Sequence, residues 1–367
     1  MRVNFPDVTY IPGLDGFRAV AVLLVLVAHF GYDQIVPGGL GVTIFFFISG
    51  FLITCLLLAE RNRFGSISIR NFYIRRFLRL LPELVALIVV SGFCRALLGH
   101  PLGVGEILAA LTYTTNYYVF WLEHSQIASS LAWPQLWSLS VEEHYYITFP
   151  AIFAVLLVSP ARVKAFFASV LLLGLAYRLF LVFGGYVDVE AQFPYTYLAS
   201  EARFDSIAYG AGFAFLCQRP LELSRGRGLA VGLGGGLLLL MTLLVRGDVF
   251  RETIRYSAQG VALLLVFTAI YRSTAWDWTM SVLESPPVRR LGVLSYGAYL
   301  WHFEYLFLSG YVFGDEPPAG GGRLLFLACG LVFSFGVAEL SYRCVARPMQ
   351  SLRHRFSMRG ASPAAAE

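Results

Sequence analysis

Three short stretches of this chain hold ionisable side chains inside apolar surroundings, and their types suit acid–base and anion chemistry. Arg18 and His29 lie eleven positions apart in one apolar run. Eleven residues turn a helix by about 1100°, or three turns plus about 20°, and rise about 16 Å, so the two side chains share one face at different depths. Asp15, one turn before Arg18, is placed to pair with it. A histidine suits the role of general base because its unperturbed pKa is about 6.5. The stretch WSLSVEEHYY, Trp137 to Tyr146, opens another apolar run with Glu142 and Glu143. A carboxylate on the other imidazole nitrogen would fix the tautomer and stabilise imidazolium. The assignment is therefore His29 as base, Glu142 as its partner and Glu143 as second choice for that partner. In NFYIRRFLRLLPEL, Arg75, Arg76 and Arg79 fall within about one helical turn. Guanidinium forks bind phosphates bidentately, so this cluster, with Arg18, is assigned to an anionic ligand. His302, in SYGAYLWHF, is one more histidine inside an apolar run.

Each feature also has a plainer reading. An arginine near the end of a span snorkels to the headgroups, and a histidine bonds a neighbouring helix. An acidic first turn suits the helix dipole, and arginines mark the inner face of a membrane protein. Against these stands cost. A charge at bilayer depth costs at least about 2.5–3.5 kcal/mol on insertion scales, so such residues mark function by default.

The elements that must hold these groups follow from composition. Of 367 residues, 57% are hydrophobic and only 14% charged, against about 25% charged in soluble domains. So few charges cannot cover a globule of this length, and lipid must be the solvent for much of it. The fold expected is an all-α polytopic integral membrane protein, a bundle of about ten transmembrane helices. The apolar runs fall near 14–33, 39–59, 80–98, 138–157, 165–184, 205–217 extended upstream, 228–245, 257–272, 291–310 and 323–342. The stretch 104–122 is read as a partly inserted segment. The first run holds Arg18 and His29 and lacks a cleavage site with a polar segment beyond it, so it is not a signal peptide.

Arginine placement sets the orientation. The gap 60–79 carries Arg61, Arg63, Arg70, Arg75, Arg76 and Arg79, and alternation puts Arg162, Arg225, Arg289 and the Arg-rich tail on the same side. Both termini and that gap are expected on the cytoplasmic side. Residues 1–350 read as one transmembrane domain and 351–367 as a short cytoplasmic tail. The net charge of +5 rests almost wholly on arginine, with Lys164 the only lysine. Because these arginines sit in gaps between spans and not in a stripe on a polar face, nucleic acid is excluded as a partner. The five cysteines are scattered singly, with no spacing for a metal or a disulfide framework.

Together the segments resemble the bacterial membrane acyltransferase-3 family of carbohydrate O-acyltransferases. The matching pieces are Arg18-x10-His29, GVTIFFFISGFLIT (41–54), the Arg76-x-x-Arg79 pair in FYIRRFLRLLP, and WSLSVEEHYY. RFDSIAYG (203–210), LSYGAYLWHF (294–303) and SYRCVARP (341–348) follow. Singly each is weak; in this order along nearly the whole chain they are specific. The resemblance implies an acyl-CoA donor, most often acetyl-CoA; no metal is expected, because no Cys or His spacing suits one. It implies a carbohydrate or glycolipid acceptor, membrane lipid as partner, and a multi-pass place in the bacterial inner membrane. Two departures stand out. Ala346 occupies the place of a usual Glu, so that position is given no role. The chain also ends soon after its last span, so transfer is expected to finish in the membrane domain or on a separate partner. The acceptor itself is open among exopolysaccharide, O-antigen, a secreted lipo-oligosaccharide and a macrolide.

Two rival functions remain. A proton-coupled transporter or flippase also keeps His, Glu and Arg in the membrane, but its paired repeats with interrupted helices are not found here. An inactive scaffold for glycan assembly would not need His29.

Overall fold

The longest apolar runs of the chain become its longest helices. In the computed structural model, which describes residues 10–125, 131–191, 193–218, 222–314 and 318–356, every long element is helical. In order these are α1 (Leu14–Val27), α2 (Gly38–Phe64), α3 (Ile69–Leu97), α4 (Val104–Leu111), α5 (Thr115–His124), α6 (Leu136–Leu156), α7 (Pro160–Phe183), α8 (Tyr195–Leu198), α9 (Ser200–Leu216) and α10 (Arg225–Leu244). After them come α11 (Asp248–Glu252), α12 (Ile254–Arg272), α13 (Asp277–Leu283), α14 (Pro286–Phe313), α15 (Gly321–Ser341) and α16 (Arg347–Arg355). The protein is an all-helical, multi-pass membrane protein.

Seven of the described helical stretches are long and apolar enough to cross a membrane: 14–32, α2, α3, α7, α10, α12 and 321–350. The other three expected spans fall on α6, α9 and α14, which are outside that set. Of these, α9 has only 17 residues, while α6 and α14 carry the Glu142–Glu143 pair and Arg289, Arg290, His302 and Glu304. By length and apolarity alone seven of the ten expected spans stand out among the described residues, and the remaining three fall on helices that this criterion does not pick out. The segment 104–122 forms α4 and α5, broken near Tyr113, whose φ of 55° ends the helical path. The domain boundary placed at 350 falls inside α16, and 357–367 lie outside the described residues.

The centre of the bundle is α2. In its apolar window 78% of residues are buried, against 22% for α7 and α10, which therefore lie at the periphery. Lipid-facing side chains such as Phe93, Leu172, Leu173, Leu233 and Val332 are exposed on the outer helices. On the inside, α2 packs on α1 and α9, and α1 packs on α14. The α2–α9 crossing is close because two glycines face it. A Cβ at Gly50 would lie 1.9 Å from the Ile207 carbonyl oxygen, and one at Gly210 only 1.8 Å from that of Phe47. Lipid gives no hydrophobic drive between helices, so such close backbone approach supplies the packing.

One ion pair fastens three helices. Arg178 of α7 donates to both Asp205 oxygens of α9, at 3.0 and 2.7 Å, to Ser257 Oγ of α12 at 2.7 Å, and to the Thr253 and Ala202 carbonyls. Both charged side chains are fully buried. The guanidinium has five donors, and all are used.

Candidate functional site

A cleft between α1, α2, α3, α6 and α14 gathers four of the groups singled out in the sequence. Arg18, Arg76, Arg79 and Glu142 line it together, with Ser49, Ser138, Tyr146, Tyr296 and Tyr299. It encloses about 660 Å³ of space, including solvent at its mouth. Arg18 is held by Asp15 at 3.1 Å, as the one-turn spacing led us to expect. The Arg76 guanidinium lies 3.7 Å from the centre of the Tyr146 ring, and the Tyr146 hydroxyl donates to Glu142 at 3.0 Å. Arg76 Nε is buried without a hydrogen-bond partner among the described residues. Three guanidinium groups lining one cleft fit an anion such as a phosphate.

Arg75 does not join this cleft. Its side chain turns to Glu60 at 2.9 Å and donates to the Phe356 carbonyl at 3.0 Å. Glu143 points into a different groove, lined by Tyr73, Phe77, Leu81, Leu111 and Tyr113, and its Oε1 has no partner among the described residues. Neighbours in sequence, Glu142 and Glu143 point about 100° apart around α6 and so line two adjacent grooves.

The histidine assignment needs a correction in its partner. His29 pairs not with Glu142 or Glu143 but with His302, at 2.8 Å between Nδ1 and Nε2. The reason is depth. Helix α6 begins at Leu136, so Glu142 is six residues, about 9 Å, inside it and sits level with Arg76. His302 Nδ1 lies 2.7 Å from the Tyr299 carbonyl, and the two imidazoles stack with ring centres 5.0 Å apart.

Hydrogen-bonding rules fix the protons of this pair. A carbonyl only accepts, so His302 Nδ1 carries a proton and, in the neutral ring, its Nε2 is a lone pair. That lone pair accepts from His29 Nδ1–H, which leaves His29 Nε2 unprotonated. No side chain among the described residues is recorded as bonded to it. His29 is exposed while His302 is fully buried, so the free nitrogen belongs to the accessible ring. The π-helical turn Ala28–Tyr32 presents it, with Phe30 and Gly31 off helical geometry. Gly31 has φ 92°, where a side chain would be strained. Such bulges often mark functional sites.

Tyr299 joins the two parts. It lines the arginine cleft, and its carbonyl fixes His302 one helical turn further along α14. Its hydroxyl donates to the Gln135 carbonyl at 3.0 Å and lies 2.7 Å from Ser138 Oγ. Tyr299, Ser138 and Ser49 went unnoticed in the sequence because serines and tyrosines are ordinary in spans. The i, i+3 spacing of Tyr299 and His302 was the signal available. Among the described residues no group of three or more His, Cys, Asp or Glu is placed to hold a metal ion.

A model of the acyltransferase-3 family, described as an acyltransferase domain, matches residues 11–343. The chain belongs to this family. It is 30% identical over 368 residues to a protein of Staphylococcus aureus (strain COL) provisionally named an O-acetyltransferase, a match covering 95% of this chain and 58% of that one. It is 28% identical over 358 residues to the peptidoglycan O-acetyltransferase OatA of Listeria monocytogenes, covering 93% of this chain and 56% of the relative. A third relative, the O-acetyltransferase OatA of S. aureus (strain NCTC 8325), is 28% identical over 361 residues, covering 93% and 57%. The chain thus spans less than two thirds of the length of these relatives. No solved structure matches it. The family match runs through the arginine cleft, both histidines and Tyr299, so all the parts described above lie within the shared domain.

Proposed function

We propose that this chain transfers an acetyl group from acetyl-CoA to a hydroxyl of a carbohydrate at the bacterial inner membrane. The observation that carries this reading is the connection of an arginine-lined cleft to an accessible imidazole nitrogen through Tyr299 and His302. Arg18, Arg76 and Arg79 hold the phosphates of the donor on the cytoplasmic side, where positive-inside placement also puts both termini. About 16 Å of helix separates Arg18 from His29, a distance that a pantetheine arm spans.

His29 Nε2 takes the proton of the acceptor hydroxyl while its oxygen attacks the thioester carbonyl. The imidazolium so formed is stabilised by His302, which accepts from Nδ1–H and is itself held by the Tyr299 carbonyl. As the C–S bond breaks, the proton passes from Nε2 to the sulfur. The products are an O-acetyl ester and a free thiol. Glu142 acts at the donor end, orienting Tyr146 and Arg76. The relatives' names, one of them for peptidoglycan O-acetylation, support a glycan as acceptor.

The test is acetyl transfer by the purified protein in nanodiscs, with labelled acetyl-CoA and an N-acetylglucosamine tetrasaccharide. Label on the glycan and a matching yield of free thiol are expected. Movement of glycan across vesicles with no acetylated product would favour a transporter and overturn the reading.

A further inference from the structure

A second cleft lies at the opposite end of α3 and α14 from the arginine cluster. Arg95, His100, Glu106, Phe307 and Tyr311 line it, around about 930 Å³ of space open to solvent. It is built, not incidental. Arg95 is almost fully buried and pairs with Glu304, at 3.2 Å from Nε and 3.3 Å from Nη2. Glu304 also accepts from Trp133 Nε1 at 2.8 Å. The Arg95 guanidinium covers the Phe307 ring at 3.9 Å. Glu106 reaches back from α4 to accept from the Ala132 amide, which fixes the far wall. His100 sets its ring against Phe307 at 5.5 Å and Tyr311 at 6.4 Å.

The cleft is linked to the histidine pair by a stripe on α14. Phe303, Phe307 and Tyr311 are spaced i, i+4, i+8 and so share one helical face. Phe303 meets His29 edge-on at 5.3 Å and His302 at 4.8 Å, and Phe307 meets Tyr311 at 5.7 Å. The stripe therefore runs from the base outward for about 12 Å, room for roughly two sugar rings.

We infer that this cleft and stripe form the acceptor subsite, and that its ligand is a neutral oligosaccharide of N-acetylated hexosamines. The inference rests on the acetyl-transfer reading above and names its acceptor chemistry. Charge decides against an anionic ligand. Arg95 is balanced by Glu304, so Glu106 leaves the cleft one net negative charge when His100 is neutral. The phosphates of the donor belong instead at the other end, where three arginines meet. Aromatic faces suit the apolar C–H faces of sugar rings, and an acetamido group matches the few polar groups here, its N–H toward Glu106 and its carbonyl toward His100. A glycan seated on the exposed Tyr311 ring, beside the Arg95-covered Phe307, would bring a hydroxyl of its terminal ring to Phe303 and His29.

The experiment measures binding of N-acetylglucosamine tetrasaccharide and monosaccharide to the full chain in nanodiscs, without donor. Wild type is expected to bind the tetrasaccharide more tightly than the monosaccharide. Tyr311→Ala should weaken tetrasaccharide binding about three- to tenfold, the scale of one aromatic contact. Tyr311→Phe keeps the ring and should stay near wild type. Tyr311 is exposed, and unchanged acetyl-CoA binding reports that each variant is folded. No tetrasaccharide binding by wild type, or equal binding by Tyr311→Ala, overturns the inference. Failure of the acetyl-transfer reading shows separately, as tetrasaccharide binding that depends on Tyr311 with no thiol release when acetyl-CoA is added.

Discussion

Two groups of intramembrane arginines behave in opposite ways. Arg178 spends every donor on Asp205, Ser257 and two carbonyls in a site with no exposure. Arg18, Arg76 and Arg79 line a cleft, partly exposed, and Arg76 keeps a donor unused among the described residues. A charge at bilayer depth is costly in either place, so its presence alone does not separate structure from function. Exposure to a cleft does. A fully buried, saturated guanidinium locks helices together, whereas partly exposed ones that line a cleft can meet a ligand.

The largest expected effect tests the structural half of this contrast. Asp205→Ala strands a buried Arg178, which should cost about 3–5 kcal/mol and remove most folded protein. Replacing both partners with Arg178→Met and Asp205→Leu should restore much of the loss, because no unpaired charge remains. Thermal unfolding in detergent checks both. A single variant that melts like wild type yet loses donor binding would move the pair into the site and break the comparison.

The functional half predicts the reverse pattern. Arg76→Ala should leave the melting temperature near wild type while acetyl-CoA binding weakens about 10- to 100-fold, the range of a charge-assisted hydrogen bond. Arg76→Lys should recover only part, since a point charge lacks the planar fork. Titration with acetyl-CoA reads this directly, and unchanged affinity in both variants would remove the donor role.

A smaller effect is expected at Gly31. Gly31→Ala imposes a side chain at φ 92°, a strain of about 1–2 kcal/mol. It should lower the transfer rate by displacing His29, with acetyl-CoA affinity unchanged. Loss of affinity instead would mean that the π-helical turn serves the arginine cleft.

Arg75→Ala should do least to donor binding. Its partner Glu60 lies outside the cleft, so acetyl-CoA affinity should stay near wild type. Glu60 is buried and then keeps only the Ser68 amide among the described residues, so the cost of the change falls on stability. If Arg75→Ala weakened acetyl-CoA binding as much as Arg76→Ala, the cluster would act as a block and the distinction drawn from geometry would fail.

Much of this was legible in the residues, and the limits have physical causes. The helical class and the places of the apolar runs follow from hydropathy, because backbone in lipid must bond within its own segment. The Arg18–Asp15 pair agrees with its one-turn spacing, and Arg18, Arg76 and Arg79 line one cleft, but Glu142, expected at the depth of His29, lines that cleft with them. The partner of His29 was misjudged because depth was counted from Glu142 as the start of a span, whereas α6 starts at Leu136. Arg75 was grouped with its neighbours, yet helical periodicity turns adjacent residues about 100° apart, and only the packing shows which face meets the cleft. The Arg178–Asp205 pair joins helices distant in sequence, a contact that no local pattern encodes. Nor does the sequence reveal the π-helical turn, although Gly31 marks where one is tolerated.

The most direct measurement of the central claim is acetyl transfer per folded enzyme by His29→Gln, read beside acetyl-CoA affinity. Gln keeps a polar side chain but lacks the lone pair that His302 leaves free on Nε2. The account predicts transfer reduced by about 10²-fold or more, the usual scale of acid–base catalysis, with acetyl-CoA binding near wild type. Turnover close to wild type by His29→Gln would contradict it.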